Sequence, residues 1–128
     1  MRLLLDTHLL LWAAVSPNLL STVARSLMVD PGNQLVFSAA SVWEVAIKSR
    51  LGRQDFKMEA GILRRGLLEN DYEELSITSE HAVAVTSLPL IHGDPFDRIL
   101  IAQSIVEGIS LLTTDSIVAQ YPGPIRKV

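Results

Sequence analysis

Residues 2–5 form a short apolar run that stops at Asp6, the pattern of a strand buried on both faces of a parallel sheet. Residues 7–14 are apolar nearly all round and predict a buried helix, followed by a Ser16-Pro17-Asn18 turn. Leu19, Leu20, Val23, Ala24, Leu27 and Met28 recur at helical spacing, so a helix is expected over 19–30, stopped by Pro31-Gly32-Asn33. A second strand is expected at 35–37 and a helix at 38–51 ending on Gly52. A basic connector leads from there to a helix at about 58–70. A third strand at 74–77, a short helix at 79–87 ended by Pro89, and a loop at 88–92 follow. Gly93 breaks the chain, Asp94 is a good N-cap, Pro95 suits the first helical position, and the helix runs to Glu107 with Gly108 as its stop. Residues 109–113 form the clearest strand. Thr114-Asp115 cap a short turn to Ala119, and 124–127 read as an edge strand.

Strands alternating with helices imply right-handed βαβ units. The expected fold is α/β, a three-layer α/β/α sandwich with a parallel sheet of about five strands, formed by residues 1–128 as one domain. Hydrophobic residues make up 48% of the chain and aromatics 5%, so the core is aliphatic. A charged fraction of 20% argues against disorder. The chain has no cysteine, which excludes a disulfide framework, a thiolate zinc site and a thiol nucleophile. Arg2 ahead of leucine-rich runs faintly resembles a signal peptide. Asp6 and His8 interrupt that run, however, and the apolar stretch from 9 to 15 is far short of the roughly 20 residues a bilayer needs. A cytoplasmic protein with no membrane partner is expected.

The acids carry the candidate chemistry. In a parallel sheet, ligands bind beyond the carboxyl ends of the strands, near the topological switch point. Asp6 directly follows the first strand, Glu44 lies two turns beyond the second, Asp97 opens the helix before the fourth strand, and Asp115 follows that strand. Crowded carboxylates repel and raise each other's pKa, and a divalent cation relieves them. Oxygen ligands without histidine or cysteine company suit Mg²⁺ or Mn²⁺, which activates water and stabilises a phosphoryl transition state. Each acid also has a structural reading. Glu44 fits a capping box with Ser41, unless Ser38 is the N-cap, which the helix-forming Ala39 and Ala40 favour. Asp115 reads equally as an N-cap, Asp97 as compensation of the helix dipole, and Asp94 as a plain cap. Thr113, Thr114 and Ser38 offer hydroxyls that support carboxylates or waters. Arg98 contacts either a phosphate or a neighbouring acid such as Asp94. The three histidines lack ligand spacing with one another and read as structural or surface residues. Trp12 and Trp43 read as helix-core anchors.

Three stretches, Leu3-Leu4-Leu5-Asp6-Thr7-His8, Ser38 to Lys48 and Asp94-Pro95-Phe96-Asp97-Arg98 running to Gln103, are completed by Leu112-Thr113-Thr114-Asp115. Together they resemble the PIN-domain nucleases, and within them the VapC toxins of bacterial type II toxin–antitoxin pairs. The resemblance implies a five-stranded parallel α/β/α sandwich and Mg²⁺- or Mn²⁺-dependent endoribonuclease cleavage, often of tRNA or rRNA loops, that halts translation. It places the family's acidic positions at Asp6, Glu44, Asp97 and Asp115 and its last-motif threonine at Thr113. It also implies a homodimer held inactive by a cognate antitoxin, whose C-terminal segment wraps the toxin and can send a basic side chain into the acidic pocket. A net charge of −3 is unusual for an RNA-cutting enzyme, although basic residues cluster at Lys48, Arg50, Arg53 and Lys57 and again at Arg64 and Arg65.

Competing readings are a PIN scaffold that binds RNA or protein without cutting, an aspartyl-phosphate phosphatase and a phosphoacceptor receiver domain. The phosphatase needs a second aspartate two residues after the nucleophile, where this chain has His8. The receiver needs paired acids after the first strand and a lysine near the end of the last, and the chain supplies neither convincingly.

Overall fold

The computed structural model describes all 128 residues. Five strands, β1 (Arg2–Leu5), β2 (Gln34–Ser38), β3 (Glu73–Leu75), β4 (Ser110–Thr113) and β5 (Ile125–Lys127), form one sheet in the order β3-β2-β1-β4-β5. Every neighbouring pair is parallel. Six helices cover it: α1 (Thr7–Val15), α2 (Thr22–Val29), α3 (Ala39–Arg50), α4 (Ala60–Glu69), α5 (Ser79–Ala84) and α6 (Pro95–Glu107). No helix is long and apolar enough to cross a membrane.

Alternation along the strands divides the core into two layers. Leu3 and Leu5 of β1, Phe37 of β2 and Leu112 of β4 pack against α1, Ala24 of α2 and Leu63 and Leu67 of α4. Leu4, Val36 and Leu111, on the opposite face, pack against Leu100 and Ile101 of α6. Side chains on a strand point alternately to the two faces, so apolar runs such as Leu3-Leu4-Leu5 serve both layers at once.

The expected elements are all present, with shifted ends. The helix expected from Leu19 begins at Thr22, because Pro17–Leu19 forms a single 3₁₀ turn and Ser21 Oγ accepts the Ala24 N–H at 3.0 Å as the N-cap. The helix expected from 58 starts at Ala60, where the Glu59 carboxylate accepts the Gly61 and Ile62 N–H groups. β3 lies one to two residues earlier than its apolar pattern indicated, at Glu73–Leu75. The helix expected at 79–87 breaks after Ala84 into a 3₁₀ turn at Val85–Ser87. Gly108 ends α6 with φ +67, a left-handed position that glycine takes without steric cost.

β2 and β3 lie on one side of β1, and β4 and β5 on the other. The switch point therefore falls between β1 and β4, where the residues after Leu5 and after Thr113 face a shared crevice.

Candidate functional site

A cavity of about 430 Å³ opens at this edge, lined by twelve residues of which a single one is hydrophobic. Asp6, Glu44, Asp97 and Asp115 all line it, together with Asp94, so carboxylates far apart in sequence share one space.

Asp6 is 7% exposed and caps α1: its Oδ1 accepts the Leu9 N–H at 3.0 Å. Its Oδ2 accepts the Thr113 hydroxyl at 2.7 Å and the Thr114 N–H at 3.2 Å. Burial pushes its pKa up, against the pull of those three hydrogen bonds. Thr113 joins two acids, since the oxygen that donates to Asp6 also accepts the Asp115 N–H at 3.0 Å. Asp115 Oδ1 in turn accepts the N–H groups of Ile117 (2.7 Å) and Val118 (3.4 Å), closing the turn after β4.

Glu44, 3% exposed, has both oxygens engaged: Oε1 accepts the Thr7 hydroxyl at 2.6 Å, and Oε2 meets Lys48 Nζ at 2.6 Å. Of the two readings of Glu44, the capping box with Ser41 does not form. Ser38 is the N-cap of α3, its Oγ accepting the Ala40 N–H at 3.0 Å, which frees Glu44 to face the cavity. Lys48 Nζ also lies 3.5 Å from Asp94 Oδ2. Burial lowers the Lys48 pKa, but the hydrogen bond and charge of Glu44 outweigh it, and the ammonium is held above its ordinary value.

Asp94 caps α6, Oδ1 accepting the N–H groups of Phe96 (2.8 Å) and Asp97 (3.2 Å). Asp97, one turn in, has one side-chain partner, His92 Nε2 at 2.9 Å from Oδ2. Burial and then the Asp94 charge, with a smaller contribution from Glu44, push its pKa up to about 6 despite the His92 hydrogen bond. Ligand atoms of His92, Asp94 and Asp97 lie within 4.8 Å of one another, the one such group of metal-ligating side chains in the molecule. The four sequence-predicted acids thus share a cavity, while the tightest ligand cluster combines one of them with two neighbours.

The PIN domain family model matches residues 3–124, nearly the whole chain and all of the site just described. The chain belongs to the PIN-domain family. It is 30% identical over 113 residues to Ribonuclease VapC22 of Mycobacterium tuberculosis, a match covering 88% of this chain and 85% of that protein. Among solved structures, VapBC2 from Rickettsia felis bound to a promoter DNA fragment superposes with a TM-score of 0.74, 15% identity, and 99% and 98% of the two chains covered. DNA-bound VapBC from Salmonella typhimurium gives 0.69 at 12% identity, covering 99% and 98%. VapBC-1 from nontypeable Haemophilus influenzae gives 0.60 at 18% identity, covering 94% and 91%. At these identities the three structures show the fold.

Several residues of this PIN domain stand elsewhere than the sequence suggested. Arg98 contacts no acid and does not line the cavity. Its guanidinium donates to the carbonyls of Pro89 (2.9 Å), His92 (3.5 Å) and Val85 (3.2 Å) and to the Tyr121 hydroxyl (3.2 Å), fastening the loop before α6. Ser38 and Thr113 are fully buried beneath the cavity without lining it, while Thr114 does line it. His92, read as structural or surface, lines the cavity against Asp97, and His8 lines it too, its Nε2 3.2 Å from Asp55 Oδ2. His81 is the buried structural histidine: its Nδ1 accepts the Thr78 N–H at 3.0 Å and its Nε2 meets Glu107 at 2.7 Å. Trp43 is 58% exposed rather than a core anchor, standing edge-on to Phe96 with ring centroids 5.1 Å apart. Lys48, Arg53 and Thr7 were missed as lining residues. For Lys48 a signal existed: it stands four residues after Glu44 on one helix, the spacing at which a glutamate and a lysine meet.

Proposed function

We propose that this PIN domain, residues 1–128, is a metal-dependent endoribonuclease acting as the toxin of a toxin–antitoxin pair. It hydrolyses RNA phosphodiester bonds at the cavity between β1 and β4. The observation that carries the reading is the convergence of Asp6, Glu44, Asp97 and Asp115 on one polar cavity in a chain related to a VapC ribonuclease.

The donor set fits a hard divalent cation. Carboxylate oxygens dominate it, and burial together with the charges of Asp94 and Glu44 pushes Asp97 to about 6, a cost that a cation would relieve. Asp6, Glu44 and Asp97 would hold Mg²⁺ or Mn²⁺, with Asp115 ligating directly or through water. Bound there, the ion would lower the pKa of water and offset charge on the phosphoryl oxygens. The chain's own groups do the rest. Thr113 and the Leu9 and Thr114 N–H groups fix the Asp6 carboxylate, Thr7 and Lys48 fix Glu44, and His92 fixes Asp97, while a carboxylate not engaged by the ion would take the proton of the attacking water. In-line attack of water on phosphorus would leave 5′-phosphate and 3′-hydroxyl ends.

The structural relatives are VapBC assemblies, which supports a cognate antitoxin as partner and a homodimer as the toxin's state. A cytoplasmic location suits both RNA and antitoxin. The test is cleavage of RNA by the purified chain. Activity is expected to vanish with EDTA and to return with excess Mg²⁺ or Mn²⁺. RNA binding without any metal-restored cleavage would leave a PIN scaffold that only binds.

A further inference from the structure

One wall of the acidic cavity is cationic, and a buried aromatic ring organises it. Phe56 is fully buried, with Lys48 Nζ 4.9 Å and the Arg53 guanidinium carbon 5.7 Å from its ring centroid. Cations over an aromatic face are attracted to its quadrupole, which adds to the carboxylates that already pair both, Glu44 and Asp94 with Lys48 and Asp55 with Arg53. Lys48 lies inside the cavity, 16% exposed and hydrogen-bonded to Glu44, whereas Arg53 stands at the mouth, 52% exposed. Arg53 also lines a second cleft of about 360 Å³, formed by the α3–α4 connector, whose other charged residues are Lys57 and Glu59, the latter's carboxylate occupied by the Gly61 and Ile62 N–H groups. The cavity and the cleft therefore join at Arg53.

The charge pattern favours a polyanion on this wall. Residues 48–57 contain Lys48, Arg50, Arg53 and Lys57 against one acid, Asp55, in a chain whose net charge is −3. Asp55 bridges Arg53 and His8 at 3.4 and 3.2 Å, orienting both toward the cavity mouth. A cavity holding five carboxylates repels a phosphate chain unless cations line the approach, and among the cavity-lining residues Lys48 and Arg53 are the lysine and arginine present.

We infer that the RNA strand leaves the site along this wall, its phosphates next to the scissile one held by Arg53 and Lys57 while Lys48 faces the reacting phosphate. The inference rests on the nuclease reading and gives it a direction: single-stranded backbone running over the α3–α4 connector rather than past the exposed Trp43, which lies outside the acidic cavity.

The experiment measures binding of a labelled single-stranded oligoribonucleotide of mixed sequence, in Mg²⁺, on a D6N background that suppresses cleavage. R53Q/K57Q is expected to weaken Kd about tenfold and to lower the salt slope by about 1.4, the loss of two single-strand phosphate contacts. The charge-matched pair R2Q/R25Q, at the amino end of β1 and on α2, is expected to stay within about twofold once bulk charge alone is at work. Equal losses in both pairs, or no loss in R53Q/K57Q, overturn the path. So does a W43A variant that alone loses binding, or an R53Q/K57Q chain that keeps RNA but loses a protein partner. The parent reading fails separately. If the unaltered chain cuts no RNA yet R53Q/K57Q loses binding, the nuclease falls and the wall stands; if the chain cuts RNA and R53Q/K57Q binds as its parent does, the reverse holds.

Discussion

Asp6 and Asp97 are acids of the same cavity, yet opposite forces hold them. Asp6 accepts three hydrogen bonds, two from backbone N–H groups and one from Thr113, so its charge is solvated by the protein itself. Asp97 has one side-chain partner, His92, and faces Asp94 and Glu44 as like charges. Burial raises the pKa of both, but only Asp97 combines that with repulsion from its neighbours. The β1/β4 side of the site is thus preorganised, and the α6 side is electrostatically strained. A carboxylate that must stay ionised to ligate a cation can be readied either way: by donors that satisfy it beforehand, or by repulsion that the cation relieves.

Replacing either acid by asparagine is the largest intervention. D6N and D97N are each expected to cut RNA cleavage about a thousandfold, roughly 4 kcal/mol of transition-state stabilisation. Full cleavage by both would remove the site from the mechanism. Stability then separates them. The ordinary Asp97 value of 3.8 rises to about 6 in the folded chain, so the folded state binds this proton more tightly than the unfolded one. Its ionisation therefore destabilises the fold progressively as pH rises from about 3.8 to about 6, and fully above that. After discount for partial exposure, D97N should gain about 1–2 kcal/mol at pH 8 and nothing below pH 4. D6N should show a smaller net gain, because burial raises the Asp6 pKa with the same sign but the substitution also breaks a hydrogen bond. One carboxylate oxygen accepts the Leu9 N–H and the other the Thr114 N–H, so an amide leaves one donor facing its own NH₂ in either orientation. Urea melts in EDTA at the two pH values measure this. Equal gains in both variants would dissolve the distinction.

The preorganised side was the more legible one. Asp6 ends an apolar run and Asp115 follows another, and a parallel sheet sends both to the same edge. The helix-forming Ala39 and Ala40 also made Ser38 the better cap of α3 and left Glu44 free of it. The strained side was hidden because its contacts bridge a loop. His92 reaches Asp97 across five residues, and Arg98 spends its donors on carbonyls, which carry no side-chain signature. The apolar stripe over 19–30 did identify a helix. It missed the start because Leu20 packs on the core from the linker that follows a 3₁₀ turn, while Leu19 in that turn is exposed.

Thr113 tests how far the preorganised side depends on one hydroxyl. T113V keeps the shape but removes both the donor to Asp6 and the acceptor of the Asp115 N–H. A cost of about 1–3 kcal/mol is expected, with cleavage per folded molecule down about tenfold as Asp6 loses its orientation. T113S should restore most of both. A loss of stability without a loss of cleavage would make Thr113 a brace for the turn alone.

Ser38 is the gentlest probe, because it shares the burial of Thr113 but not its partners. Its Oγ accepts the Ala40 N–H, and no bond joins it to a carboxylate of the cavity. S38A therefore removes one N-cap and should cost about 1 kcal/mol of stability. Glu44 is held instead by Thr7 and Lys48, so its carboxylate should keep its place when the cap is lost. Cleavage per folded molecule is then expected to stay within about twofold of the parent, since no contact of the site changes. A tenfold loss at full folding, measured at a temperature well below the melt, would show that the start of α3 positions Glu44 and that its capping hydroxyl belongs to the site.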